Sequence, residues 1–321
     1  MSLKHIRNYI GEFRAYNRER KQVVEAPVVE KQGRLVGRIV RYVHSIEKGL
    51  SIESPRAEFG YEKIKTMYGW IREYLQLTPN DKTCVYMAAD ALATYCAYHD
   101  SIGVVSDKVN EIRKIATELA GIKMADGVTG TFGGVQTICR KDMEFDTANV
   151  EKFFKTRHSI RQFQKKPIDR ELIHKAIELA QCAPSACNRQ AVRAYAMDTE
   201  KFLKTYPDHL QGVGGFIDSC DKVILITGKI SPYEESEYKQ FVVSAGIFTG
   251  YLTLALHGLG LGACVVQRSL RPNESWMEFG RKNGIPTDEQ VVCLVTVGQM
   301  NEETIVPLSK RFETDTVLKW L

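Results

Sequence analysis

The sequence predicts an α+β protein in two parts: a mostly helical N-terminal region, residues 1–145, and a domain of mixed helices and strands, residues 146–321. Three observations predict it. Over the first 120 or so positions apolar residues recur at helical spacing, and strand-type alternation is nearly absent. Four glycines, Gly127, Gly130, Gly133 and Gly134, then fall within eight residues and mark a change of composition, a linker or a tightly turning strand. Beyond them amphipathic helical patterns alternate with short apolar runs, the signature of a layered α+β or α/β fold.

In the first part, Leu35, Val36, Ile39, Val40 and Val43 share one helical face, and Ile64, Met67, Tyr68, Ile71, Tyr74 and Leu75 repeat the pattern. Asp81 is placed to cap a helix through Met87, Leu92 and Tyr95, and Val109, Ile112, Ile115, Ala116 and Leu119 form another. In the second part, Asp169 is a good N-cap for a helix through Leu172, Ile173, Ala176, Ile177 and Ala180, which Pro184 stops. A strand is expected over Ala191–Met197. The Val-Ile-Leu-Ile run in Lys222–Thr227 suits a strand buried on both faces. A long apolar helix spans about Lys239–His257, Gly258, Gly260 and Gly262 end it, and strands follow at Ala263–Val266 and Gln290–Val297.

Composition bounds the function. Hydrophobic residues make up 44% and charged residues 26% of 321, enough to bury a sizeable core. No apolar run reaches the ~20 residues of a membrane-spanning helix. Lys4, Arg7 and Arg14 have no apolar block behind them, so no signal peptide is read and a cytoplasmic location is expected. The net charge of +5 is mild and no Cys/His finger occurs, so neither nucleic acid nor membrane is expected as a partner. The eight cysteines include no Cys-x-x-Cys pair; buried, reduced thiols are expected, with Cys182 and Cys187 flanking a loop. No metal site is read.

The chemistry-bearing residues fall in four places. In Arg157-His158-Ser159-Ile160-Arg161, followed by Phe163, an extended backbone would turn positions 157, 159 and 161 to one side. Two guanidiniums and a hydroxyl would then converge on one anionic ligand, arginine being well suited to phosphate. In Ala183-Pro184-Ser185-Ala186-Cys187-Asn188-Arg189-Gln190, Pro184 fixes a turn on which Ser185 and Asn188 present short hydrogen-bonding groups. Gly258-Leu259-Gly260-Leu261-Gly262 follows a helix and precedes a strand, the reverse of a dinucleotide fingerprint. Its glycines end the helix and would let backbone approach a flat ligand closely. Ser309-Lys310-Arg311 is a late basic cluster. Taken singly, each is equally a solvated loop, a self-satisfied turn or a basic tail.

Taken in order, the Arg-x-Ser-x-Arg-x-Phe run, the Ala-Pro-Ser-x-x-Asn-x-Gln turn, the apolar helix ending in Gly-Leu-Gly, the Val297-Gly298 strand end and Arg311 resemble the nitroreductase family of FMN enzymes over roughly residues 150–315. The resemblance implies a mixed or antiparallel sheet packed with helices, in a domain-swapped homodimer with FMN at the subunit interface. It implies that Arg157 and Ser159, within the run containing His158, meet the FMN phosphate and ribityl, and that Arg161 faces the pyrimidine edge. Pro184, Ser185 and Asn188 would reach the flavin from the partner, and Arg311 would return to the phosphate. The sequence departs from the family pattern where Ala191 and Val192 follow Gln190, and where Val242–Ala245 offers no carboxylate at the start of the apolar helix.

The helical region carries one dense polar segment, in which His44, Glu47 and Lys48 share a helical face. They are a candidate lid over the flavin pocket, or a salt-bridged surface. The expected activity is FMN-dependent oxidoreduction with NAD(P)H as donor and a small organic acceptor, in a ping-pong cycle. No side-chain catalyst is required, because the chemistry is the flavin's. The alternatives are a flavoenzyme acting on one metabolite or peptide without NAD(P)H, and a non-catalytic flavin-binding or scaffold protein.

Overall fold

The computed structural model describes residues 6, 9–14, 16–17, 28–205, 213, 215–237, 239–267 and 274–321. Lys4 and Arg7 of the basic N-terminal stretch lie outside the described residues.

Between residues 28 and 125 the N-terminal unit is built from the helices α1 (Val28–Leu50), α2 (Tyr61–Gln76), α3 (Thr83–Ser101) and α4 (Asp107–Ala125). The spacing read from the sequence becomes their packing. Leu35, Ile39, Val43 and Ile46 of α1 are buried with Ile64, Met67 and Ile71 of α2, and Ile112 and Leu119 of α4 close the same cluster. Leu92 and Tyr95 of α3 lie in the middle of it, fully buried. Asp81 Oδ1 accepts from the Thr83 N–H at 2.8 Å, so the expected cap bonds the first turn of α3, although Lys82 holds the cap position. Ser106 Oγ caps α4 by accepting from Val109 N–H at 3.2 Å.

The glycine-rich stretch folds back onto the helices and forms no strand. Phe132 N–H donates to Asp90 Oδ2 at 2.7 Å, and Gly134 N–H donates to Glu47 Oε1 at 3.1 Å. A short helix, α5 (Thr147–Thr156), capped by Asp146, then leads into the second unit.

That unit holds one five-stranded sheet: β1 (Phe163–Gln164), β2 (Val192–Asp198), β3 (Lys222–Lys229), β4 (Leu261–Gln267) and β5 (Glu289–Met300). β5 is central, pairing with β3 and β4 along its length and with β1 at its end, while β2 pairs β3; every strand pair is antiparallel. Around the sheet lie α6 (Arg170–Ala180), α7 (Thr199–Thr205), α8 (Gln240–Gly258), α9 (Glu274–Lys282) and α10 (Thr314–Val317). β3 is buried along six consecutive residues, as its unbroken apolar run predicts. Two apolar clusters, one on each face, sandwich it: Ile224 and Ile226 pack with α6 and α8, and Val223 and Leu225 pack with Phe202 and Phe279.

α8 is long and apolar enough, by length and composition, to cross a membrane. Here it is a core helix, with Phe241, Ala245, Leu252 and Leu256 buried over the sheet. Its opposite side exposes Val243, Ile247 and Tyr251. Five of the eight cysteines are buried as expected, and all are free, Cys182 and Cys187 included.

The two units meet along α1. A Cβ added at Gly37 would stand 2.3 Å from Pro232 O, and one at Gly33 2.3 Å from Ser231 Oγ. These glycines, one helical turn apart, let the helix lie directly on the turn after β3. Arg38 Nε donates to Glu234 Oε1 at 3.0 Å beside that contact, and Arg41 lies 3.6 Å from the same oxygen.

Candidate functional site: a flavin-binding face

The segment from Arg157 to Phe163 is extended and runs beside β4, with Ile160 N–H donating to Ala263 O at 3.0 Å. Strict alternation does not hold along it: Ile160 and Phe163, three apart, are buried, His158, Arg161 and Gln162 are exposed, and Arg157 and Ser159 are half-buried. Neither Arg157 nor Arg161 pairs with a carboxylate among the described residues; Arg161 makes one long contact, 3.5 Å, to Ser159 O. The Ser159 side chain bonds Cys264, so the two guanidiniums without an acid are the groups on this segment suited to a phosphate ester. Their positive charge is felt nearby. Burial, and after it the charge of Arg157, holds His257 below its usual pKa, and its Nε2 shares a 2.9 Å hydrogen bond with Thr156 Oγ1. His158 is exposed beside a hollow of only about 20 Å³ against His257 and Met300.

Glycine positions this segment differently from the sequence expectation. Gly262 and Gly298 face each other across β4 and β5. A Cβ on Gly262 would lie 2.9 Å from Ile160, and one on Gly298 would lie 2.5 Å from Phe163. The space left by the missing side chains is therefore taken by the arginine segment's own apolar residues, not by a flat ligand. These glycines act one step from the ligand, by seating the segment that carries the cations. Gly260, at φ 75°, ends α8 as expected.

The Pro184 turn is strained. Cys187, Asn188 and Gln190 adopt φ of 52°, 53° and 49°, three left-handed non-glycine residues within four positions. Local bonds hold the shape: Gln190 N–H donates to Ser185 Oγ at 3.0 Å and Asn188 N–H donates to Ser185 O at 2.9 Å. The next residue, Arg189, is buried, and its Nη2 donates to both oxygens of Glu237 at 2.8 and 2.9 Å. Glu237, just before α8, is a carboxylate that the sequence pattern did not single out.

Within one chain these features occupy separate places. Pro184, Ser185 and Asn188 line a cavity of about 460 Å³ at the seam with the helical unit, and none of Arg157, Ser159 or Arg161 borders it. Arg311 is exposed, donates to Ser309 O at 3.2 Å, and makes no hydrogen bond to the Arg157 segment. The lid candidates lie elsewhere too. Glu47 anchors the glycine stretch, His44 sits 3.8 Å from Glu47, Lys48 is exposed, and none of the three lines the cavity. The part of α1 that does line it is one to two turns earlier, at Val36 and Val40.

Residues 154–214 and 212–299 match the model of the nitroreductase family. The two matched stretches together cover a little under half of the chain. A protein of Methanothermobacter thermautotrophicus named as an NADH dehydrogenase/NAD(P)H nitroreductase is 27% identical over 122 residues, covering 38% of this chain and 62% of that relative. A protein of the same name from Archaeoglobus fulgidus is 28% identical over 170 residues, covering 52% of this chain and 94% of the relative. Among solved structures, an FMN-dependent nitroreductase of Clostridium difficile is similar over 49% of this chain and 91% of its own, with 23% identity and a TM-score of 0.42. A nitroreductase of Desulfovibrio desulfuricans in complex with FMN covers 55% and 96%, with 18% identity and a TM-score of 0.43. The helical unit lies outside the matched residues.

Proposed function

We propose that this protein is an FMN-dependent oxidoreductase that takes electrons from NAD(P)H and passes them to a small organic acceptor. The observation that carries the reading is the pair Arg157 and Arg161, two guanidiniums without acid partners among the described residues, on an extended segment pinned to the sheet beside Ser159, within the residues that match the nitroreductase model. The residues fit the cofactor. Arg157 and Ser159 would hold its phosphate and ribityl chain, and Arg161 would stand at the pyrimidine edge, where a positive charge favours the reduced, anionic ring. Bound there, FMN supplies hydride transfer at N5, accepting from the nicotinamide and donating to the acceptor. The protein's share is binding, orientation and electrostatics.

The active form is a homodimer with the flavin between protomers. Pro184, Ser185 and Asn188 would then serve the partner's flavin, which accounts for their distance from Arg157 in one chain. Support comes from apolar surface left open on a single copy: Val243, Ile247 and Tyr251 along α8, and Ile305, Leu308, Phe312 and Trp320 in the last twenty residues. Arg311 lies in that tail and would reach the phosphate only once the tail has docked.

The test is direct. Purified protein should carry a flavin absorbance spectrum, release FMN on heating as identified by mass spectrometry, and lose its visible absorbance anaerobically on addition of NADH or NADPH. Protein that stays colourless after incubation with FMN sinks the reading. Bound flavin that neither nicotinamide reduces would leave a flavoprotein fed by another donor.

A further inference from the structure

We propose that the basic, amphipathic segment at the start of the chain, centred on Ile6, Tyr9, Ile10 and Phe13, docks the protein on an anionic lipid surface. This segment lies in a part of the chain that the flavin reading does not use.

Charge is distributed unevenly along the chain. Residues 1–21 hold six cations, Lys4, Arg7, Arg14, Arg18, Arg20 and Lys21, against two acids, Glu12 and Glu19. That excess of four supplies most of the net +5 of the chain, so the whole-chain value conceals a basic end. A net charge as mild as +5 gave no reason to expect a membrane; its concentration in one short segment does.

The same segment is amphipathic. Ile6, Tyr9, Ile10 and Phe13 fall at i, i+3, i+4 and i+7, the spacing of one helical face. Ile6, residues 9–14 and residues 16–17 are helical, and the four apolar side chains are between 43% and 68% exposed. Arg14, the residue after Phe13, is exposed as well. The helical unit and the sheet unit complete their buried clusters without these residues, so the fold leaves the face bare. Apolar surface flanked by cations matches a phospholipid boundary: rings and aliphatic groups enter the acyl edge while the cations meet headgroup phosphates. Tyr9 suits that depth, with an apolar ring and a polar tip. A helical stretch this short lies in the plane of the bilayer and does not cross it. Nucleic acid would engage the cations and leave the apolar face bare. A symmetric contact between two copies of the segment would set one cationic stretch against the other.

Vesicle sedimentation tests this directly. The full-length protein should be spun with vesicles of phosphatidylcholine alone and with vesicles in which about one third of the lipid is phosphatidylglycerol. Binding to the anionic vesicles should be at least about tenfold tighter, and raising NaCl from about 0.1 M to about 0.5 M should erase most of that preference. Changing Tyr9→Asp and Phe13→Asp together should abolish binding. Arg14→Glu should weaken it by about tenfold, and neither variant should move the melting temperature or the flavin content. Arg14→Glu keeps the apolar face, so it reads the charge even if the double variant fails to fold. No binding to either vesicle, equal binding to both, or full binding by the folded double variant overturns the proposal. So does a fall in molar mass by light scattering when Tyr9 and Phe13 are changed, which would assign the face to a second copy of the chain. Colourless protein that sediments with anionic vesicles refutes the flavin reading alone, and yellow protein indifferent to them refutes the lipid docking alone.

Discussion

In the helical unit several polar side chains finish their hydrogen bonding inside the fold, although Arg34, Arg41 and Tyr95 keep buried polar atoms without a partner among the described residues. His99, fully buried, is held between Tyr95 O at 2.8 Å and the Glu58 N–H at 2.9 Å. Lys123 Nζ reaches Asp90 at 2.7 Å and Gly130 O at 2.6 Å, and Lys82 pairs with Asp126 at 2.8 Å. In the sheet unit, Arg157 and Arg161 have no acid partner, and Arg189 Nε and Nη1 no acceptor, among the described residues. Both units thus keep polar atoms without a partner; what sets Arg157 and Arg161 apart is that they lie on one extended segment with no acid beside them, a distinction residue type alone does not make. The dense His44–Lys48 segment and the Arg157–Arg161 run are similarly polar as sequences, yet of the two only the first holds an acid, Glu47, beside its cation.

Substitution tests this contrast, and the largest effect is expected on binding. Changing Arg157 and Arg161 together to Ala should weaken FMN binding by roughly a hundredfold or more, two charge-assisted contacts being lost, while the melting temperature of the flavin-free protein barely moves. Fluorescence titration of FMN and a thermal melt check both halves, and a large loss of stability would place the arginines among the fold-holding groups. His99→Phe should do the reverse. It leaves the Glu58 N–H without its acceptor and Tyr95 O with its helical bond alone, and should cost about 1–3 kcal/mol in urea unfolding, with FMN affinity of the folded fraction unchanged.

Gly298→Ala should blur the two classes, because it acts on the fold at a position that seats the site. Its Cβ would meet Phe163 at 2.5 Å, so about 1–3 kcal/mol of stability and part of the FMN affinity should fall together. The smallest effect concerns the seam. Hydrogen bonding from Arg38 holds the Glu234 carboxyl below its usual value of 4.5, so this ion pair stabilises the folded state above that pH. The contribution should fade as acid carries the solution down through the lowered folded-state value. Thermal melts across pH 3–7, with Arg38→Ala flattening the acid limb slightly, would show it; an unchanged profile removes the pair from the seam's stability.

The helices of the N-terminal unit and the central strands were legible in the sequence. They depend on side-chain period along one segment, a local property of a helix or an extended chain. The lid was not legible in the same way. His44, Glu47 and Lys48 do share a face, but which part of α1 meets the other unit depends on Gly33, Gly37 and a turn nearly two hundred residues away. The Arg189–Glu237 pair was hidden for a related reason, since 48 residues and a buried strand separate its members.

By itself the sequence determined the element types and the division of composition near the glycine stretch, since both follow from neighbours within a few residues. Tertiary structure alone decided that Gly262 and Gly298 receive Ile160 and Phe163 instead of a ligand. It also decided that the turn at Ser185 looks into a cavity walled by α1 and α3, and that Arg189 is buried with nitrogens to spare. These features arise from close approach between distant segments. Burial and unmet hydrogen bonds come into being only when such segments pack, so no reading of spacing along the chain contains them.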